Sequence, residues 1–251
     1  MEEKLLFLLG EKIFEGDVLA IIESYMLRRF DVAAKIMERV IDIAIACINE
    51  VLDDGVRVKV LGEEYSKKPS IFYDKISSII MIRPRALAKD LVLYYQCANV
   101  TFIDALFYVI MHEYGHHQLN KMGINPIEGI DSRRYMALYS KFEDYAVSKI
   151  LRGEAYRRIE RKILTFNALR SYEVLKTRLF GSLFEWHIDY LARTLVTKYM
   201  DHISTIALAD ALGYLKFDER PIEISLKVIE IAERIAFHMK KLSKEKIKLI
   251  P

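Results

Sequence analysis

The stretch from Thr101 to Gly123 limits what this chain can become more than any other. Leu106 to Met111 is apolar almost all round and runs directly into His112-Glu113-Tyr114-Gly115-His116. A helix with that composition must be buried, and its polar residues then need partners. Thr101 with Asp104 three residues later has the form of a capping box, and Gly123 suits a helix stop, so a helix is predicted from about Phe102 to Met122. On it, His112 and His116 leave from one face, one turn apart. Neutral imidazoles bind zinc through a ring nitrogen, so this pair is a predicted pincer for one ion. Glu113 follows the first histidine directly, within reach of a water at such an ion, which is where a general base is needed.

A chance meeting of these residues on a surface helix is the plain alternative. With 6 histidines in 251 residues, and glutamate at about a tenth of positions, a random match somewhere in the chain has a probability of roughly one in a hundred. A catalytic zinc site uses three protein ligands and a water, so a third ligand must come from elsewhere. The histidine that extends some such motifs is missing, because the position six residues after His116 is Met122. Among later acids and histidines the best candidate is Glu143, on a helix predicted from Arg133 to Leu151. Ala146 is small enough to let that helix approach closely, and Phe142, Tyr145, Ile150 and Leu151 supply apolar packing. Asp144, Asp131, Glu128 and His187 stand as alternatives, and Asp144 also suits a supporting partner of a ligand. His117 faces about 100° away from His116 and is expected at the surface or against a second helix.

Around this helix the chain organises itself by period. Apolar residues from Glu11 to Asp54 recur at three and four, as at Ile41, Ile45, Ile48 and Val51, which predicts two amphipathic helices broken near Phe30-Asp31. After Gly55, Val56 to Leu61 alternates as a half-buried strand does. Ile71-Phe72-Tyr73 and Ile76 to Ile82, joined at Asp74-Lys75, predict a hairpin, and Pro84 ends its second strand. From there on the pattern is helical, through Leu242, with a break near Gly213 and Pro221. The expected class is α+β and predominantly helical, with a sheet of about three strands. Three regions follow: helical 1–54, a metal-binding core at 55–152, and helical 153–251 packed on it as one unit.

Composition narrows the function classes. Cys47 and Cys97 each sit alone in an apolar stretch, which suits buried thiols and leaves no cysteine framework for a metal. Net charge +3 is too small to point to nucleic acid. No apolar run approaches the roughly 20 residues of a membrane-spanning helix. The start, Met-Glu-Glu-Lys, lacks the basic beginning of a secretory signal, so a cytoplasmic location is expected. Glutamine occurs only at Gln96 and Gln118 beside abundant Lys, Arg, Glu and Ile, a bias that suits a thermophilic source. Glu185-Trp186-His187-Ile188-Asp189 reads as the polar side of a helix, and the lysines from Lys240 to Lys248 as a solvated tail complementing a helix C-terminus.

The segment His112 to His116, taken with Phe142-Glu143-Asp144-Tyr145-Ala146, resembles the zincin metallopeptidases. The likeness is to their gluzincin branch, in which the two histidines of His-Glu-x-x-His and a later glutamate hold zinc. The resemblance spans about Val56 to Leu151. It implies a zincin-like core, Zn2+ on His112, His116 and Glu143, Glu113 as general base, and hydrolysis of a peptide or protein substrate. It also implies that Ile76 to Ile82 is the edge strand along which extended substrate lies. A catalytically silent or latent regulator of the same fold is the alternative. Two features depart from the family pattern: Val147 stands where many members carry a histidine-orienting aspartate, and no residue matches the tyrosine or histidine that stabilises the transition state. Tyr135, Tyr139, His187 and Tyr190 are candidates for that role.

Overall fold

The computed structural model describes residues 1–52, 55–62, 69–123, 144, 147–148 and 150–178. The chain divides into two compact units, Met1–Gly123 with Leu151–Lys162, and Ile124–Ile150 with Ile163–Pro251. In the second unit Asp144, Val147, Ser148 and Ile150 are helical. The Ser148 hydroxyl there donates back to the Asp144 carbonyl at 3.1 Å. The rest of the predicted 133–151 helix, the Glu185–Asp189 cluster, the Gly213–Pro221 break and the lysine-rich end lie outside the described residues.

Six helices and three strands are described, in the order α1 (Glu2–Lys12), α2 (Glu15–Met26), α3 (Phe30–Val51), β1 (Arg57–Val60), β2 (Ile71–Asp74), β3 (Ile79–Ile82), α4 (Pro84–Cys97), α5 (Phe102–Lys121) and α6 (Glu154–Arg178). The α+β class, mostly helical with a small sheet, is therefore observed. α2 and α3 are the two helices that the 3.6 period predicts, and α1 is an additional one hidden in the acidic start of the chain. Its alternation of charge with Leu5 and Leu9, both fully buried, is helical, but a run this short was too brief to register as a periodic segment. The α2–α3 break falls at Leu27–Arg29, where Arg28 takes a left-handed φ of 59°. Among the described residues no helix is long and apolar enough to cross a membrane.

The sheet order is β1-β3-β2: β1 runs parallel to β3 with Arg57 opposite Ile79, and β2 runs antiparallel to β3 with Ile71 opposite Ile82. This corrects one expectation. The segment Ile76 to Ile82 is not the edge strand; its strand portion, Ile79–Ile82, is the centre of the sheet, and β2 is the edge beside α5. The alternation of β3 shows one covered face, since Ile80 and Ile82 are each 1% exposed while Ile79 and Met81 on the other face are half-buried. The hairpin turn is also longer than Asp74-Lys75. The Asp74 carboxylate accepts from the Ile76 N–H at 3.2 Å and from the Ser77 hydroxyl, and Ser78 adopts φ 55°, which delays the second strand to Ile79.

α5 is the hub of the first unit, packed against α1, α4 and β2. Both halves of its capping box form: the Asp104 N–H donates to the Thr101 hydroxyl at 2.9 Å, and the Thr101 N–H donates to the Asp104 carboxylate at 3.3 Å. Such a cap stabilises a helix by about 1 kcal/mol. Gly123, at φ 64°, terminates it as the sequence predicts. Phe102, Leu106, Phe107, Ile110 and Met111 are all at most 2% exposed, which is where the apolar run of the sequence is used. Cys47 is buried as expected, but Cys97 is exposed, because it falls in the last turn of α4 on the face turned away from Leu91 and Val92.

α1 is also tied to the start of α6. The Gly153 N–H donates to Glu2 Oε1 at 3.1 Å, while Glu2 Oε2 is buried with no hydrogen-bond partner among the described residues. A Cβ at position 153 would run into that carboxylate, so any larger residue there must turn the Glu2 side chain away. Burial pushes the Glu2 carboxyl above the usual carboxylate range, against the opposing pull of the Gly153 hydrogen bond. The native state therefore holds the Glu2 proton to higher pH than the unfolded chain does. Stability falls as pH rises from the ordinary carboxylate range through the raised native value, and levels off above it. Glu2→Gln, which keeps an acceptor for Gly153 and removes the charge, is expected to raise the melting temperature at neutral pH and to leave it unchanged in acid, measured on metal-free protein.

Candidate metal centre

α5 presents chemistry on two different faces because its polar residues are offset by single positions. One face carries Tyr108, His112 and His116, each one turn from the last. The rings of His112 and His116 lie edge to face with centroids 5.0 Å apart, and both side chains are half-buried. The other face carries Glu113, His117 and Asn120 and looks onto the edge strand β2. There one residue, Tyr73, meets all three. Its N–H donates to Glu113 Oε2 at 2.7 Å, while its phenol oxygen lies 3.3 Å from His117 Nδ1 and accepts from Asn120 Nδ2 at 3.0 Å.

His117 therefore differs from its expectation as a surface residue or a contact to a second helix. It is 8% exposed and stands edge-on to the Tyr73 ring at 5.6 Å, because the face 100° from the histidine pincer is where the sheet packs. Glu113 is also buried, at 9% exposure. Its carboxylate accepts from the N–H of a strand that lies at the edge of the sheet among the described residues.

The pincer face is closed by α6. Tyr156, fully buried, stacks on Tyr108 with ring centroids 5.5 Å apart and places its hydroxyl 3.3 Å from His112 Nδ1. A hydrogen bond at Nδ1 leaves Nε2 as the nitrogen of His112 that can face an ion. His112 and His116, one turn apart on α5, offer two imidazole nitrogens from one side of the helix, a donor pair that zinc accepts, so the chemistry of these residues fits the ion.

No protein-family model, no curated protein and no solved structure matches the chain. Sequence spacing brought His112, Glu113 and His116 together correctly on α5. Glu143, with the alternatives Glu128, Asp131 and His187, lies outside the described residues, as do Tyr135, Tyr139 and Tyr190. Asp144 is the one alternative ligand among the described residues, and it is helical in the second unit. Sequence reasoning missed Tyr73 and Tyr156. Nothing in the local pattern said that α6 would bring Tyr156 to His112.

Proposed function

We propose that the chain is a zinc-dependent peptidase of zincin type, with His112 and His116 as metal ligands and Glu113 as general base. The observation that carries the reading is the pair His112 and His116, one turn apart on the helix that also bears Glu113. When bound, zinc polarises a scissile carbonyl and brings the pKa of a water towards neutrality. The chain's own part is division of labour along α5. The two half-buried histidines would hold the ion from adjacent turns. Glu113 takes the proton of the attacking water on a carboxylate oxygen and passes it to the departing amine. The edge strand β2, fixed to α5 through Tyr73, stands beside the site and suits an extended peptide.

Two acids compete for the third ligand position in this reading. Glu143 is favoured by the family resemblance, and Asp144, its neighbour in the chain, is the alternative. Zinc measured by elemental analysis on purified Asp144→Asn and Glu143→Gln separates them. The true ligand's variant is expected to lose at least about tenfold in affinity, and the other is expected to hold metal as the unmodified chain does. If both variants retain full zinc, neither acid is a ligand. Cleavage of a panel of peptides, before and after limited proteolysis, tests the activity itself.

A second reading has one specific observation in its favour. Glu113 Oε2 is engaged by the Tyr73 N–H at 2.7 Å, so the general base is committed to the edge strand in this conformation. That arrangement suits a latent enzyme or a regulator that keeps the metal site. Activity appearing only after nicking would identify latency, and zinc binding without cleavage under any condition would favour the regulator.

A further inference from the structure

We propose that Tyr156 is a positioning residue of the metal centre, fixing His112 through its hydroxyl in the place where an acidic side chain would otherwise do so. The inference rests on the reading of His112 as a metal ligand. A histidine that binds metal through one nitrogen holds its ring by donating the other N–H to an oxygen, and loss of that oxygen commonly weakens binding 10- to 100-fold. The Tyr156 oxygen lies 3.3 Å from His112 Nδ1.

The hydroxyl is held by more than one interaction. Tyr156 is fully buried, and its ring lies nearly parallel to Tyr108 at an interplanar angle of 22°. Tyr108 is one helical turn before His112, and its ring centroid is 5.9 Å from the His112 ring. The three rings therefore support one another, and moving Tyr156 would cost its stack as well as its hydrogen bond. The beginning of α6 is fastened at two points, by the Gly153 N–H to Glu2 and by Lys162 Nζ to the Asn99 carbonyl at 2.8 Å. Ile159 and Ile163 are buried along the same helix. An oxygen placed by a rigid element can select one tautomer, Nδ1–H with Nε2 towards the metal.

Tyr156→Phe keeps the ring and its stack and removes only the oxygen. Zinc affinity, read by competition with a chromogenic chelator, is expected to fall 10- to 100-fold. The melting temperature of the metal-free protein is expected to stay the same, which a purely structural role for the hydroxyl would not allow. An affinity equal to that of the unmodified chain overturns the proposal. Should the variant not fold, long-range proton–nitrogen spectra of the zinc-loaded unmodified protein decide it. They are expected to show His112 protonated at Nδ1 and metallated at Nε2, and the reverse assignment overturns the role of Tyr156. If the unmodified chain takes up no zinc, the metal reading itself falls, an outcome distinct from zinc binding that is indifferent to position 156.

Discussion

Glu113→Gln is expected to bind zinc as the unmodified chain does and to lose peptide cleavage by at least about 100- to 10,000-fold, the usual worth of a positioned general base. Glutamine has the same length and can still accept from the Tyr73 N–H through its amide oxygen, so the 2.7 Å tie between α5 and β2 survives. What it cannot do is take a proton from water. Glu113→Ala is a different experiment at the same position. It removes the acceptor of a part-buried backbone N–H, and an orphaned donor of that kind costs about 1–3 kcal/mol. The alanine variant is therefore expected to melt at a lower temperature than the glutamine variant while being equally inactive. Cleavage assays and thermal melts on the two proteins read both roles. Residual activity in Glu113→Gln close to the unmodified level would remove Glu113 from the mechanism. Equal melting temperatures for Gln and Ala would show that the bond to Tyr73 does not anchor the strand.

His112→Ala and His116→Ala are each expected to abolish stoichiometric zinc. Each removes one of three protein ligands, and the remaining two donors cannot hold an ion against solvent at ordinary free-metal concentration. The effect on stability follows from mass action. An ion present at a thousand times its dissociation constant stabilises the native state by about 4 kcal/mol, provided it does not bind the unfolded chain. The unmodified protein should therefore melt lower after treatment with a chelator, and neither histidine variant should respond to chelator at all. Zinc retained at full stoichiometry in either variant would exclude that histidine as a ligand.

How much of this was legible before folding depends on how local each feature is. The capping box at Thr101 and Asp104, the stop at Gly123 and the buried character of α5 could all be read directly, because each depends on residues within a turn or two of one another. So could the pairing of His112 with His116, since 3.6 residues per turn puts positions four apart on one face wherever the helix goes. The hairpin was legible as a hairpin, but its turn was not, because the Asp74 side chain, and not the commonest two-residue turn, sets its length. The exposure of Cys97 could not be judged from an apolar neighbourhood in sequence, as the neighbours occupy other faces of α4.

The sequence by itself determined that α5 carries two chemical faces, one with His112 and His116 and one with Glu113, His117 and Asn120. Only the tertiary structure decided what meets each face: β2 through Tyr73 on the second, and α6 through Tyr156 on the first. It also made β2 the edge and β3 the centre of the sheet, reversing the expectation for Ile76 to Ile82. The physical reason is one of range. Periodicity is enforced by backbone geometry over a few residues, whereas Tyr73 and Tyr156 lie 40 and 44 positions from their partners Glu113 and His112. Contacts at that separation are selected by the burial and pairing of whole elements, which no local pattern records.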